Sequence, residues 1–217
     1  MMSDYVLHQD ILEELEWEAS LDSSKIGVTV KSGVVTLTGT VPSYAQKLEA
    51  ERVVKRVVGV MAVANDIEVS LVGHDHPNDT EIAEAAVNAL RWNSSLPQGQ
   101  IKVTVRQGFL TLEGNVDWYY QREVADDAVR YLTGVRGVNN HIKVTPQVKQ
   151  SEISKKIEAA FRRNAEIDAS HVKVAAQGGK VVLDGKVASW MERSAAEHAA
   201  WSAPGVFNVE NHLTVGT

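Results

Sequence analysis

The 217-residue sequence contains no cysteine and no apolar run that approaches the roughly 18 residues of a membrane-spanning helix. Without cysteine, the chain can form neither disulfide bonds nor thiolate metal sites. Its first residues, Met1 to His8, show no basic stretch, no long apolar core and no small-residue cleavage site, so they do not have the pattern of a secretory signal. From these absences we expect a cytoplasmic protein.

The chain is also short of positive charge, with a net charge of −6 at pH 7. Nucleic-acid binding depends on Lys and Arg against phosphate, so we expect no nucleic-acid partner. The imbalance is uneven: residues 1–72 hold 11 acids and 6 bases, residues 73–146 hold 9 and 7, and residues 147–217 hold 8 and 9. The C-terminal third is therefore the part expected to meet any anionic surface.

Three segments align without a gap and define an internal repeat. They lie at residues 31–41 (KSGVVTLTGTV), 106–116 (RQGFLTLEGNV) and 177–187 (QGGKVVLDGKV). The repeat predicts three domains, which we call the first, second and third copies. Their predicted bounds are residues 1–72, 78–146 and 150–217.

Each copy shows the same order of predicted elements. A helix with apolar residues three to four apart is followed by two strands of alternating polarity around a glycine turn. A second helix and a last strand complete the copy. The pattern predicts an α+β fold of three tandem α-β-β-α-β units, each a small mixed sheet with two helices on one face. Because a domain of about 70 residues buries only a modest share of its surface, the copies are expected to pack against one another.

Two sets of glycines and one set of asparagines recur at the repeat spacing. Glycines on the predicted buried face of the second strand are expected to be structural, since a side chain there would strike the helix above; the alternative is a point of ligand approach. Glycines after the second helix are expected to end it in the left-handed conformation. The asparagines are expected to bond local backbone groups. The three sets are Gly39, Gly114, Gly185; Gly59, Gly134, Gly205; and Asn65, Asn140, Asn211.

The repeated segments resemble the BON domain, the bacterial osmotic-stress and nodulation family. In the first copy the resemblance rests on the hairpin at 33–41 (GVVTLTGTV), the turn at 58–60 (VGV) and the strand at 63–67 (VANDI). Residues 108–116 with 134–142, and 179–187 with 205–213, match in the other copies. The resemblance implies binding of phospholipid or other hydrophobic surfaces, in osmotic shock protection, secretion pores and channels. It implies no catalytic residue.

Nothing in the sequence predicts an enzyme, a cofactor or a metal site. No serine lies in a Gly-x-Ser-x-Gly elbow, and no glycine-rich segment matches a phosphate loop. His74-Asp75-His76 offers imidazole and carboxylate groups to a divalent metal, but the sequence shows no further ligand to complete the site. We therefore expect no metal site.

Aromatic residues concentrate at the start of each second helix, with a cation one helical turn away. Tryptophan and tyrosine suit a membrane interface or a protein contact, being apolar with a polar tip. The alternative is that these rings fill contacts between neighbouring copies, and the exposure of the rings decides between the two. The predicted binding residues are Tyr44, Trp118, Tyr119, Trp190 and Met191, with Arg122 and Arg193. Trp17 and Trp92 match each other at the end of the first helix, where the third copy has Arg163.

The sequence leaves two functions open. The first is a non-catalytic module that associates with phospholipid or other hydrophobic surfaces in osmotic or envelope stress. The second is a chaperone-like or scaffolding module that binds apolar segments of client proteins, and a homo-oligomer is left open in either case. Adsorption of the basic third copy to anionic lipid should weaken with salt, whereas apolar client binding should not.

Overall fold

The computed structural model describes residues 3–71, 76–145, 153–164 and 167–216 of the chain. The chain divides into two compact units, and the division runs through the second copy. The first unit comprises Met1–Asn93, Val103–Leu112 and Asp126–Asn139; the second comprises Ser94–Lys102, Glu113–Ala125 and Asn140–Thr217. Within the described residues, no helix is both long enough and apolar enough to cross a bilayer.

The first copy consists of two helices and a sheet of four strands. Its central strand pairs antiparallel with the strand before it and parallel with the two short strands that follow the second helix. The elements in order are α1 (Asp4–Trp17), a short 3-10 helix (Ser23–Lys25), β1 (Ile26–Lys31), β2 (Val34–Val41), α2 (Tyr44–Arg56), β3 (Ala62–Asn65) and β4 (Glu68–Val69).

The second and third copies repeat this order. The second contains α3 (Asp79–Trp92), β5 (Ile101–Arg106), β6 (Phe109–Val116), α4 (Tyr119–Arg130) and β7 (Gly137–Val144), with the strand order β5-β6-β7. The third contains α5 (Ile153–Arg163), β8 (Val172–Gln177), β9 (Lys180–Val187), α6 (Trp190–Trp201), β10 (Asn208–Asn211) and β11 (Thr214–Val215). Three small mixed sheets with paired helices confirm the predicted fold class.

Each core forms from the apolar face of its helices against the central strand. In the first copy, α1 buries Leu7, Ile11 and Leu15 at a spacing of four residues, which places them on one side of the helix. The third copy buries the equivalent stripe, which is Ile153, Ile157 and Phe161. The first helix is thus fixed to the sheet by aliphatic and aromatic side chains that lie well before its C-terminal end.

The glycines of the central strands are structural, but the predicted reason for them was wrong. A β-carbon on Gly39 would lie 2.0 Å from the carbonyl oxygen of Lys25, the residue just before β1. A β-carbon on Gly114 would lie 2.2 Å from the carbonyl oxygen of Gln100, and one on Gly185 would lie 2.0 Å from that of His171. The clash is therefore with the backbone of the neighbouring chain segment, and not with the helix above.

The rule that side chains alternate along a strand wrongly placed these glycines on the buried face, and their backbone conformation explains why. Their φ angles are +114° at Gly39, +153° at Gly114 and +140° at Gly185, a region that side-chain-bearing residues rarely adopt. Such a residue interrupts the regular pleat, so the rule that every second residue shares a face fails there. The strand remains apolar on its buried face on both sides of the glycine.

The glycines after the second helices have the predicted left-handed conformation, with φ angles of +96° at Gly59, +89° at Gly134 and +92° at Gly205. The helices themselves end earlier, at Arg56, Arg130 and Trp201. The glycines therefore shape the turn into the last strand.

Candidate functional site

The predicted aromatic residues lie where the second helices begin, as expected. Tyr44, Tyr119 and Trp190 are the first residues of α2, α4 and α6, and all three rings are partly buried. Trp118 and Met191 are more open, with 43% and 51% of their surface exposed. The structure therefore divides the predicted set into half-buried rings and exposed side chains.

Tyr119 contacts the next copy. Its ring stacks on Trp201 at the end of α6, with the ring centroids 4.3 Å apart and the planes 9° from parallel. Burial raises the pKa of Tyr119 strongly, and the adjacent Glu123 carboxylate raises it further. Close by, His198 Nε2 of the third copy lies 3.7 Å from a carboxylate oxygen of Glu123. Tyr119 is therefore part of the junction between the second and third copies.

Tyr44 occupies the same position one copy earlier. Burial raises its pKa, while the backbone of Val138, in the second copy, lowers it in part. The charges of Asp126 and Arg130 on α4 also act on Tyr44, and these two residues form an ion pair with each other. Arg130 aligns with Trp201 of the third copy, so the side chain at this position acts on the tyrosine of the preceding copy at both junctions. The alternative prediction, contacts between copies, thus describes the environment of both tyrosines.

The predicted cations are held against the last strand of their own copies. Nη2 of Arg122 donates to the carbonyl oxygen of Asn140 at 3.2 Å, and Nη2 of Arg193 donates to that of Asn211 at 3.1 Å. The guanidinium carbon of Arg193 also lies 5.3 Å from the ring centroid of Trp190, within cation–π range. The predicted pairing of a cation with an aromatic ring is therefore present in the third copy. A binding role for Trp118, Met191 and their neighbours stays a prediction.

Trp17 and Trp92 are the most exposed tryptophans among the described residues. They end α1 and α3, at equivalent positions, and expose 86% and 82% of their surface. The buried stripe of α1 ends at Leu15 and that of α3 at Leu90, so neither core includes the tryptophan that follows. Tryptophan is enriched at protein and membrane interfaces, because its ring is apolar and its N–H is polar.

The repeated asparagines are structural, as predicted. Nδ2 of Asn140 donates to the carbonyl oxygen of Arg122 at 2.9 Å, and its Oδ1 accepts from the backbone N–H of Ile142 at 3.1 Å. Asn65 makes the same two bonds, donating to the carbonyl oxygen of Lys47 and accepting from the N–H of Ile67. Asn211 makes the second kind, accepting from the N–H of Leu213. The side chain therefore ties the last strand to the second helix.

We expect Asn140→Ala to lower the free energy of unfolding by about 1–3 kcal/mol, because it leaves part-buried backbone groups without their partners. Chemical denaturation measures the change. Asn139→Ala is the matched control, since Asn139 is exposed; its cost should stay within about 0.5 kcal/mol. Equal costs for the two variants would show that the bonds of Asn140 contribute nothing.

The histidine pair that was weighed as a metal site falls largely outside the described residues, since His74 and Asp75 are not among them and His76 is exposed. In the part of the chain that the structure describes, no group of three or more His, Asp or Glu side chains is arranged to hold a metal ion.

The sequence interpretation missed Trp201 and Phe207. Trp201 receives the stacked ring of Tyr119, and Phe207 lies beside the hairpin turn, where a β-carbon on Gly179 would meet its ring at 2.8 Å. A signal was present, because the aligned positions of the second copy hold Arg130 and Arg136. A change from arginine to an aromatic residue at two positions distinguishes the third copy from the second.

Comparisons with known proteins agree with the repeat. A family model described as BON domain matches residues 3–70, 78–146 and 149–217. Osmotically-inducible protein Y of Escherichia coli (strain K12) is 30% identical over 148 residues, which cover 65% of this chain and 73% of that protein.

Two solved structures of CdsD, a structural protein of the type III secretion system of Chlamydia trachomatis, are also similar. The first, a C-terminal domain, is 15% identical, covers 100% of both chains and has a TM-score of 0.28. The second is 16% identical, covers 97% of this chain and 92% of that one, and has a TM-score of 0.27. Scores at this level support no conclusion about the chain. The three family-model matches span nearly all of the 217 residues, and the chain therefore belongs to the BON domain family, with three tandem copies of its domain.

Proposed function

We propose that this protein is a non-catalytic module that binds phospholipid or other hydrophobic surfaces during osmotic stress. The observation that carries the proposal is the exposure of Trp17 and Trp92 at equivalent helix ends. Tryptophan is highly buried on average in soluble proteins, and its amphipathic ring suits the boundary between water and lipid. Two such rings in one chain bind more tightly than either alone when both can reach the surface.

The osmotic-stress part of the proposal is supported by family membership and by the Escherichia coli relative, whose name states that it is osmotically inducible. The relative is similar over 73% of its own length, so most of it has a counterpart in this chain.

Charge indicates which lipid each copy would meet. Helix α1 carries five acids and no Lys or Arg, which opposes adsorption of Trp17 to an anionic bilayer and favours a neutral one. Helix α5 has the opposite character, with one acid and four exposed bases. Those bases are Lys155, Lys156, Arg162 and Arg163. Binding to neutral lipid should therefore resist salt, while any added attraction of anionic lipid to the third copy should be screened by it.

Co-sedimentation with phosphatidylcholine vesicles tests the proposal. We expect the double variant Trp17→Ala, Trp92→Ala to partition at least about tenfold more weakly than the unmodified protein, which corresponds to about 1.4 kcal/mol. Its unfolding free energy should change little, because both side chains are exposed.

The matched comparison is Trp118→Ala with Met191→Ala, which removes the exposed part of the sequence-predicted surface. If that variant loses vesicle binding and the Trp17/Trp92 variant keeps it, then the helix ends are not the binding surface. If neither the protein nor any variant sediments with vesicles, the lipid proposal is wrong.

A second candidate function, binding of apolar client segments, is favoured by the surroundings of Trp17. The shallow groove beside this ring is lined by Asp10, Glu13, Glu14, Arg56 and Val57, and Arg56 is already ion-paired to Glu14 at 3.1 Å. An acidic rim around an aromatic ring suits a basic, apolar peptide. Because the rim is charged, such a peptide, for example one of alternating lysine and leucine, should bind more weakly at high salt, unlike the purely apolar client considered from the sequence. This salt dependence separates client binding from binding to neutral lipid.

A further inference from the structure

We propose that a groove at the junction of the second and third copies binds a single-chain amphipathic anion, an aliphatic chain with a carboxylate or phosphate head. This goes beyond surface binding, because it assigns a separate site for a free ligand. The groove lies between the end of β7 and the start of β10 and has a volume of about 690 Å³. That volume is within the range of sites for small organic ligands.

The walls of the groove are apolar and held in place. Trp201 and Phe207 of the third copy and Ile142 and Val144 of β7 are among the residues that line it. Tyr119 stacks on the indole of Trp201, so the ring has little freedom to turn. Phe207 keeps 38% of its surface exposed, although its ring packs against the backbone at Gly179. Walls that are already ordered spare a ligand the entropic cost of ordering them.

The charged residues that line the groove are both cations, Arg122 and Lys143. Because Nη2 of Arg122 is bonded to the carbonyl oxygen of Asn140, the guanidinium is fixed beside the apolar walls. A guanidinium carries five N–H donors in a fork that matches carboxylate and phosphate oxygens. An apolar groove with a fixed positive charge fits an aliphatic chain that carries a negatively charged head group.

The chemistry is specific to this junction. Where the second and third copies place Lys143, Trp201 and Phe207, the first and second copies have Glu68, Arg130 and Arg136. The equivalent positions between the first and second copies therefore lack the aromatic wall and reverse one charge. They also provide substitutions that the repeat already accommodates, namely Phe207→Arg and Lys143→Glu.

Isothermal titration calorimetry with sodium dodecanoate, below its micelle concentration, tests the site on the full chain. We expect saturable binding of one dodecanoate per chain, weakened at least about tenfold by Phe207→Arg and by Lys143→Glu. Phe109→Lys is the matched control, because Phe109 is an exposed aromatic residue outside the groove and the third copy has Lys180 there; its affinity should be unchanged. Dodecyltrimethylammonium, with the same chain and a cationic head, should bind at least about tenfold more weakly.

Absence of saturable dodecanoate binding would overturn the proposal, as would equal affinity for the cationic amphiphile or unchanged affinity in Phe207→Arg. Circular dichroism of each variant shows whether it is folded. If Phe207→Arg does not fold, Lys143→Glu provides a second test, because Lys143 is exposed. Phosphatidylcholine vesicles separate free ligand from bilayer: Phe207→Arg should keep vesicle binding, and the Trp17/Trp92 double variant should keep dodecanoate binding. Loss of vesicle binding together with dodecanoate binding in Phe207→Arg would mean that the groove is part of the membrane surface, contrary to the proposal.

Discussion

Replacement of Gly114 by valine should lower the free energy of unfolding by more than about 3 kcal/mol. The β-carbon alone would lie 2.2 Å from the carbonyl oxygen of Gln100, and the φ angle of +153° disfavours any side chain. Strain of this kind costs about 1–3 kcal/mol before the clash is added. Since the backbone of the neighbouring segment must shift to relieve the contact, the loss should exceed that of an ordinary surface substitution.

Alanine at the same position distinguishes the two explanations for this glycine. If the clash is with the β-carbon, Gly114→Ala should cost nearly as much as Gly114→Val. If the position instead faced a helix, valine would be much worse than alanine, because overpacking grows with side-chain volume. Gly99→Ala is the control for backbone strain alone, since φ is +73° there and a β-carbon would meet no atom within 4 Å. Thermal or urea unfolding measures all three.

Tyr119→Ala should destabilise the second compact unit by about 2–3 kcal/mol. The substitution removes a stacked aromatic pair, which contributes about 0.5–1.5 kcal/mol beyond the burial of the ring itself. It also exposes one face of Trp201, which should shift the near-ultraviolet circular dichroism of that indole.

The neighbouring residue provides the control for this change. Tyr120 follows Tyr119 on α4 but exposes 52% of its surface, so Tyr120→Ala should cost within about 0.5 kcal/mol. Tyr119→Phe keeps the stack and should retain most of the stability. Similar losses for Tyr119→Ala and Tyr120→Ala would show that the stack does not stabilise the junction.

The repeat made most of the fold predictable. Residues that recur at fixed offsets, such as Asn65 and Asn140, occupy the same place in each domain and make the same backbone bonds. The buried stripe of α1 followed directly from helical spacing. Local chemistry and periodicity decide these features, and both can be read within one copy.

The environment of the aromatic residues was harder to predict, because it depends on the next copy. Tyr119 and Tyr120 are adjacent in sequence, yet helical geometry turns them about 100° apart, and only the structure shows that Tyr119 stacks on Trp201. The central glycines posed a related problem. Alternation placed Gly114 on the buried face, but its positive φ interrupts the alternation, and hydrophobic pattern carries no information about such a break.

The cores of the first two copies do not explain why Trp17 and Trp92 are there, because both side chains lie outside them. Their neighbours Leu15 and Leu90 complete the buried stripes of α1 and α3 without them. The third copy has Arg163 at the same position, on a helix rich in bases. The first helix of the third copy thus ends in bases where those of the other two copies end in an exposed tryptophan.

Depth-dependent fluorescence quenching shows most directly whether Trp17 and Trp92 enter the lipid. Of the five tryptophans, Trp118, Trp190 and Trp201 would be replaced by phenylalanine, leaving Trp17 and Trp92 as the only indoles. On addition of phosphatidylcholine vesicles, we expect a blue shift of the emission and quenching by lipids that carry bromine in their acyl chains. Unchanged emission and no quenching by brominated lipid, at vesicle concentrations that sediment the folded protein, would contradict this expectation.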